Sequence, residues 1–431
     1  MAEARRIASV EAARGVAAAY VVLSHVLQVL GYHAGKPGTP VLAVLFGGYA
    51  HNAVLFFFLL SGFSIHYASA TRPLGDWAGV RHYFYLRLRR LYPILLIGFA
   101  LALSLLAIGV WLGLPGYADM LASIHPSQLL LNVLLVADLN YQCGRWAAVL
   151  PNFGTAWSLS YELAYYALYP LFWRVAQRYS TQAAVGAGAA LSVLALAMGP
   201  IACDHVWNVL SLYFLWCLGA WVADMRRRDA RVAIPRQLLW IAISGLLVLV
   251  PAIGSTRFAI ATDLGWGIMF ALILLLPLSR PANWPVGLRG LAALAAILPT
   301  LVALSATLLQ LWGPKSAAGI VQMAVFALAG ALLVVRNYHP LLGRLTQIGI
   351  RLTVPVGMIS YALYLVHYPI LHFANSLAPV HTPTGIAPWL AVALLLTLVF
   401  SYWLERRFQP FAAHRLDAWC AAWLPARVRD A

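Results

Sequence analysis

The sequence is poor in charge: only 10% of its 431 residues are Asp, Glu, Lys or Arg, whereas 62% are hydrophobic. Ordinary soluble domains carry about 25% charged residues, so this composition excludes a water-soluble enzyme. The net charge is +16, and lysine occurs only at Lys36 and Lys315. The basic residues lie at the ends of apolar runs instead of gathering on one soluble face, so they do not indicate nucleic-acid binding.

Cysteine is also scarce. The chain has four cysteines, and no CxxC or HxxxH pair accompanies them. The sequence therefore predicts neither a disulfide scaffold nor a metal site.

Long apolar stretches are abundant, each long enough to cross a hydrocarbon core of about 30 Å. They predict an all-α polytopic membrane protein with about 12 transmembrane helices. Residues 1–410 would form one membrane domain, and 411–431 a basic cytoplasmic tail. The predicted spans are 7–31, 41–69, 83–112, 156–177, 182–201, 208–225, 237–253, 261–279, 289–312, 316–335, 356–377 and 388–405.

The distribution of basic residues predicts the orientation. With the N-terminus inside, alternation of the spans leaves only Lys36, Arg145, Arg257 and Lys315 outside, and 25 of the 29 basic residues inside or at inner helix ends. Cytoplasmic loops are rich in Lys and Arg, so both termini are predicted to be cytoplasmic. The excess of arginine over lysine indicates a GC-rich bacterial genome and nothing more. The expected location is the bacterial inner membrane, which the helices would cross several times.

Two segments could be mistaken for other structures. The first apolar run carries Glu11, Arg14 and His25, so it is predicted to be a retained helix and not a signal peptide. The apolar stretch 127–137 is too short to span, which predicts a re-entrant or interfacial helix.

Ionisable residues within spans carry the functional prediction, because each costs at least ~2.5–3.5 kcal/mol near the centre of a helix. Glu11, Arg14 and His25 share one stripe of the first helix, with His25 about 16 Å beyond Arg14. The plainer interpretations are an interfacial Glu11–Arg14 pair and a histidine that only packs. The fourth span adds Glu162, expected just below the outer surface at a depth similar to that of His25. There it would orient the imidazole or merely anchor the re-entrant segment.

Two further groups have both a functional and a structural interpretation. His367 lies halfway along the eleventh span, one turn after Tyr364, and this pair either supports a site or links two helices. Arg87 and Arg90 open the third helix on one face, with Arg89 pointing elsewhere. They are either topological markers or a phosphate clamp, since guanidinium groups bind phosphate in a bidentate manner.

Taken together, these segments resemble the acyltransferase 3 family of integral-membrane acyltransferases. The matching segments are Glu11-Ala-Ala-Arg14-Gly-Val-Ala through His25, Phe57-Phe-Leu-Leu-Ser61-Gly62-Phe63, Arg87-Leu-Arg-Arg90-Leu-Tyr-Pro93, Trp157-Ser-Leu-Ser-Tyr-Glu162 and Ser360-Tyr-Ala-Leu-Tyr364-Leu-Val-His367. The resemblance implies transfer of an acyl group, commonly acetyl from cytoplasmic acetyl-CoA, to a hydroxyl of a sugar or other small acceptor. The chain departs from the family's ten-helix core by two extra spans between Glu162 and Ser360. It has no room for a fused hydrolase-like domain, so it would act alone or with a separate partner.

The resemblance and the stripe together assign roles. Arg14, Arg87 and Arg90 would bind the CoA phosphates. His25 would be the general base or would carry an acyl-histidine intermediate, with Glu162 and Glu11 as the other catalytic candidates. The supporting candidates are Ser61, Trp157, Ser158, Tyr361, Tyr364 and His367.

Other functions remain open at this stage. The acceptor would be an extracytoplasmic glycan or a small molecule such as a macrolide sugar. A transporter or flippase with a His/Glu proton relay is the rival from another class.

Overall fold

The computed structural model describes most of the chain. The described residues are 2–32, 43, 48–70, 72, 74–136, 149–202, 205–230, 232–253, 259–280, 340–378 and 382–420. Ten of the twelve predicted spans coincide with helices in these segments. The spans predicted at 289–312 and 316–335 lie outside the described residues.

The chain divides into two compact units, which are described separately. The first comprises Met1–Gly31, Ser69–Tyr213 and Thr353–Ala431, and the second comprises Tyr32–Ala68 and Phe214–Leu352. The helices that lie wholly or mainly in the first unit are α1 (Ala2–Val29), α3 (Trp77–Trp111), α4 (Tyr117–Ala122), α5 (Pro126–Val133), α6 (Trp157–Arg178), α7 (Thr181–Ala202), α8 (His205–Ser211), α13 (Ser360–Leu377), α14 (Pro383–Trp403) and α15 (Gln409–Cys420).

The second unit contains α2 (Ala50–Ser69), α9 (Tyr213–Arg227), α10 (Arg236–Ile253) and α11 (Ala259–Leu275). A short parallel pairing joins β1 (Val232–Pro235) to β2 (Ser279–Arg280). The last helix, α12 (Pro340–Gly357), continues into the first unit and meets α13 at a sharp bend. Apart from this pairing, the described segments are therefore those of an all-helical membrane protein.

Within the described segments, six helices are long and apolar enough to cross a membrane, or up to seven if α12 and α13 form one bent span. The other predicted spans coincide with the shorter apolar helices α10 and α11, and with α6. The polar side chains of α6, among them Ser158, Ser160 and Glu162, and its four tyrosines reduce its hydropathy. The number twelve and the cytoplasmic termini stay predictions.

Helix α13 is the centre of the first unit, since it packs against α1, α3 and α14. Its Ala362, Leu365 and Val366 are fully buried in a core that also contains Ile94 and Leu95 of α3. Because lipid is as apolar as these side chains, close van der Waals packing, and not transfer out of water, stabilises this contact. A rigid α13 is the result, and the polar side chains along it are held in fixed positions.

Contacts along these helices define their relative directions. Gly15 of α1 meets Gly357 at the end of α12, and further along both segments His25 meets His367 of α13, so α1 and α13 run parallel. Helix α3 also runs parallel to α13. The hydroxyl of Tyr361 donates to the Leu91 carbonyl, and further along both helices Leu365 lies beside Gly98. Helix α14 is antiparallel to α13. These directions agree with the alternation of the first, third, eleventh and twelfth predicted spans.

One irregular segment enters the core before α6. Leu150, Asn152, Phe153 and Thr155 are at most 4% exposed. The side-chain amide of Asn152 donates to the carbonyl of Ala102 at 2.8 Å, which satisfies a polar group inside the bundle. Helix α6 therefore begins in the interior of the first unit and not at its rim.

Candidate active site

The backbone of α1 packs very closely against the backbone at the bend between α12 and α13. A Cβ on Gly15 would lie 2.0 Å from the carbonyl oxygen of Thr353, and one on Gly357 would lie 1.8 Å from that of Glu11. Such close helix contacts between small residues are typical of membrane proteins. The crossing places Glu11 and Arg14 beside the bend, where they form an ion pair of 3.0 Å.

His25 lies two to three turns further along α1, against α13. Its Nδ1 is 2.9 Å from Nε2 of His367, which is fully buried. Nδ1 of His367 is in turn 2.9 Å from the carbonyl oxygen of Leu363. The edge of the Tyr368 ring packs against the His25 ring, with centroids 5.1 Å apart. The hydrogen-bond partner of His25 is thus His367, and not Glu162 as the sequence suggested.

A second buried polar contact lies one turn before His367 on α13. The hydroxyls of Tyr364 and Ser158 are 2.9 Å apart, and Ser158 also lies 3.5 Å from the Thr155 carbonyl. Trp157 packs edge-on against Tyr161 of its own helix. Tyr364 therefore lies next to His367, and Ser158 contacts Tyr364 from α6.

Glu162 lies one turn further along α6, on the side of Arg87 and Arg90. It accepts a hydrogen bond from the hydroxyl of Tyr166 at 2.5 Å. Tyr166 is close enough to both arginines to interact with them electrostatically. This differs from the expected depth of Glu162, which assumed that α6 begins at the outer surface. The buried segment before α6 shifts the whole helix inward.

The arginines of α3 have distinct environments. Arg87 lies over the ring of Tyr83 at 5.7 Å, and its buried Nε–H has no hydrogen-bond partner among the described residues. Arg89 faces another way, as predicted, and pairs with Asp417 of α15. Arg90 lies over the ring of Tyr361 at 5.4 Å.

Glu405 holds Arg90 in place. The two carboxylate oxygens contact the guanidinium at 3.0 and 2.8 Å, and the carboxylate also accepts the backbone N–H of Ala362 at 3.2 Å. Ala362 belongs to the first turn of α13, whose free N–H groups favour a negative charge. Glu405 lies in a π-helical segment, Leu404–Phe408, that joins α14 to α15. Single π turns of this kind occur frequently at functional sites.

The other end of α13 carries a third polar group. The hydroxyl of the buried Tyr117 donates to Ser376 at 3.2 Å and lies 3.5 Å from Nδ1 of His372. The His372 ring is 6.2 Å from that of Tyr368, which links this group to His25. Oδ1 of Asn375 is buried without a partner among the described residues. Burial raises the pKa of Tyr117, so its hydroxyl stays protonated.

Sequence reasoning missed Glu405, Tyr368 and His372. The signal for Glu405 was present, since it is an acidic residue at the end of an apolar span, directly before Arg406. Ser61, which was predicted to support the site, lies buried on α2 in the second unit. The other predicted residues are in the first unit.

The family model described as an acyltransferase domain, that of the acyltransferase 3 family, matches residues 7–287. This is more than half of the chain, so the protein belongs to the acyltransferase 3 family. His25, Arg87, Arg90 and Glu162 lie within the match, whereas His367 lies beyond it. Neither a curated protein nor a solved structure matches the chain.

Proposed function

We propose that this membrane acyltransferase transfers an acyl group, most simply acetyl, from cytoplasmic acyl-CoA to a hydroxyl of a sugar or glycan. The acceptor would be presented on the extracytoplasmic side, and His25 would act as the general base. The single observation that carries the proposal is the position of His25. It lies between two clusters of polar side chains along α13. The arginine group (Arg14, Arg87 and Arg90) is at one end, and the Tyr117–His372 group is at the other.

The arginine group suits the donor. CoA carries several phosphate charges, and guanidinium groups are the preferred protein ligands of phosphate. Arg87 has an unused buried donor, and Glu405 holds Arg90 in one orientation. Arg14 pairs with Glu11, but its side chain remains 27% exposed, so part of the guanidinium is accessible to a phosphate. We assign Glu162 to this donor end, where its charge balances the arginines.

The distances along the helices suit the length of the donor. From Tyr361, which is in contact with Arg90, to His367 is about 9 Å along α13, and from Arg14 to His25 is about 16 Å along α1. The pantetheine arm separates the thioester from the nucleotide by a length of this order. With the nucleotide at the arginines, the thioester would therefore reach His25.

The opposite end of α13 suits a hydroxyl-bearing acceptor. Tyr368 and His372 are partly exposed, and Asn375 has a carbonyl oxygen without a partner among the described residues. A buried polar atom left unpaired costs about 1–3 kcal/mol, so an occupant with hydroxyl groups would be favoured here.

The proposed reaction is a direct transfer. The acceptor hydroxyl loses its proton to His25 as its oxygen attacks the thioester carbonyl carbon. The C–S bond then breaks, and the CoA thiolate takes the proton from His25. This restores the neutral imidazole and releases the O-acyl product and free CoA.

The test uses membrane vesicles with the cytoplasmic face outward, supplied with acetyl-labelled acetyl-CoA. Wild-type vesicles should release CoA thiol and incorporate the label into glycan. In His25→Ala, turnover should fall by about 10²–10⁴-fold, the usual value of general-base catalysis, with acetyl-CoA affinity retained. Turnover that persists in a folded His25→Ala variant would contradict the catalytic assignment. Wild-type protein that binds acetyl-CoA without releasing thiol would favour a transporter.

A further inference from the structure

The buried pair His25–His367 has a defined direction of hydrogen bonding. A backbone carbonyl can only accept, so the contact of His367 Nδ1 with the Leu363 carbonyl requires a proton on Nδ1. In a neutral imidazole the other nitrogen is then an acceptor. Nε2 of His367 therefore presents a lone pair to His25.

The same logic fixes the tautomer of His25. Its Nδ1 lies 2.9 Å from the lone pair of His367, and two lone pairs at that distance would repel each other. Nδ1 of His25 must carry the proton, which leaves the lone pair on Nε2.

We infer that His367 is a positioning residue that sets the reactive tautomer of His25, so that Nε2 is the atom that accepts the acceptor's proton. This inference rests on the proposed function. His367 is fully buried and acts through His25, without touching the substrate.

The pair also explains how His25 could become charged within the bundle. When Nε2 takes the proton, both nitrogens of His25 are donors, and the Nδ1–H bond to His367 becomes charge-assisted and stronger. A neutral imidazole at His367 stabilises the charged form of His25 less than a carboxylate would. However, it places no permanent charge in the membrane interior, where each charge is expensive. The edge-on ring of Tyr368 adds a second restraint on the orientation of His25.

The geometry suggests a matched pair of substitutions. In His367→Gln the amide oxygen takes the approximate position of Nε2 and can still accept from His25. In His367→Asn the shorter amide takes the position of Nδ1, where it can donate to the Leu363 carbonyl but cannot reach His25. Both variants keep a polar amide in the buried site, so a difference between them reports on the contact with His25.

The measurements are kcat for thiol release in the membrane vesicles with the cytoplasmic face outward, which retain the glycan acceptor, and the acetyl-CoA affinity of detergent-purified, folded protein. We expect His367→Asn to lose about 10–100-fold in kcat, by analogy with the loss when the partner that orients a metal-bound histidine is removed. His367→Gln should keep most of the activity, and both should bind acetyl-CoA like the wild type. In the background of His25→Ala, the Asn substitution should cost nothing more, because its effect passes through His25.

Equal activities of the Gln and Asn variants, or a further loss in the double variant, would overturn the inference. His66→Gln, on the separate helix α2, serves as the control for loss of a buried histidine and should retain activity. Failure of the proposed function is distinguishable, since it would leave the wild type itself without thiol release.

Discussion

Arg90 and Glu405 form a bidentate ion pair, with both guanidinium terminal nitrogens against the two carboxylate oxygens at 3.0 and 2.8 Å. The side chain of Glu405 is 4% exposed, whereas that of Arg90 is 48% exposed. The carboxylate is thus the buried anchor, and the guanidinium remains accessible on its outer side. Because Glu405 also accepts from Ala362, one side chain fixes both the arginine and the start of α13.

Replacement Glu405→Gln should therefore affect the protein in two ways. The loss of one charge leaves Arg90 less restrained, so the KM for acetyl-CoA should rise several-fold with a smaller change in kcat. Stability should also fall, by less than the 3–5 kcal/mol typical of a fully buried pair, because Arg90 is half exposed to solvent. Thermal unfolding and steady-state kinetics on the same preparation measure both effects.

The control for Glu405→Gln is Asp417→Asn, which breaks the pair with Arg89 on another face of α3. It should leave the KM for acetyl-CoA unchanged. A similar rise in KM in both variants would mean that the effect comes from general loosening of α3.

The double substitution Arg87→Ala with Arg90→Ala should weaken acetyl-CoA binding. Each charge-assisted bond lost to a phosphate costs roughly 1.5–3 kcal/mol before solvent screening. Arg89→Ala is the matched control, since it removes a neighbouring charge that faces Asp417. The acetyl-CoA affinity of each variant, measured by titration, tests this prediction. Unchanged affinity in the double variant would identify these arginines as topological markers only.

The crossing of α1 and α12 gives a stability prediction. In Gly15→Ala the new methyl group would collide with the carbonyl of Thr353, and such overpacking costs about 1–3 kcal/mol. Gly349→Ala on α12 is the control, since nothing lies within 4 Å of its Cβ position. Alanine is favoured over glycine within a helix by roughly 0.5–1 kcal/mol, so this variant should be as stable as the wild type or more so. Equal melting temperatures for the two variants would contradict the close crossing.

Cysteine labelling tests the predicted orientation. The topology puts Cys143 and Cys203 outside and Cys420 in the cytoplasm, and the first two lie beyond the described residues. Cys217 is free and fully buried, and Cys420 is free and partly exposed. A membrane-impermeant thiol reagent on intact cells should label Cys143 and Cys203, either directly or, if they form a disulfide, after reduction. Labelling of Cys420 under these conditions would show that the orientation is wrong.

Much of the fold could be read from the sequence. Long apolar runs predicted the described helices, because hydropathy and helix length are local properties that the bilayer selects. The side on which Arg89 lies also followed from helical periodicity. Glu405 was harder to place, since the π turn around it breaks the regular repeat on which such reasoning depends.

The depth of Glu162 shows where local reasoning stops. Its position depends on the irregular segment before α6, which is buried by contacts of Asn152 and Phe153 with α3. Hydropathy alone gives no reason for that segment to enter the bundle. As a result, Glu162 lies with the arginines and Tyr166, and His25 has another partner.

The sequence by itself determined that the protein is a bundle of membrane helices with His25, Arg14, Arg87 and Arg90 placed on particular helix faces. Periodicity is sufficient for this, because a residue's face follows from its position in its own helix. Only the tertiary structure decided the pairings, since His25 and His367 are 342 residues apart and meet through the packing of α1 on α13. The direction of their hydrogen bond depends on one carbonyl, that of Leu363, and so the tautomer of His367 follows only from the folded chain.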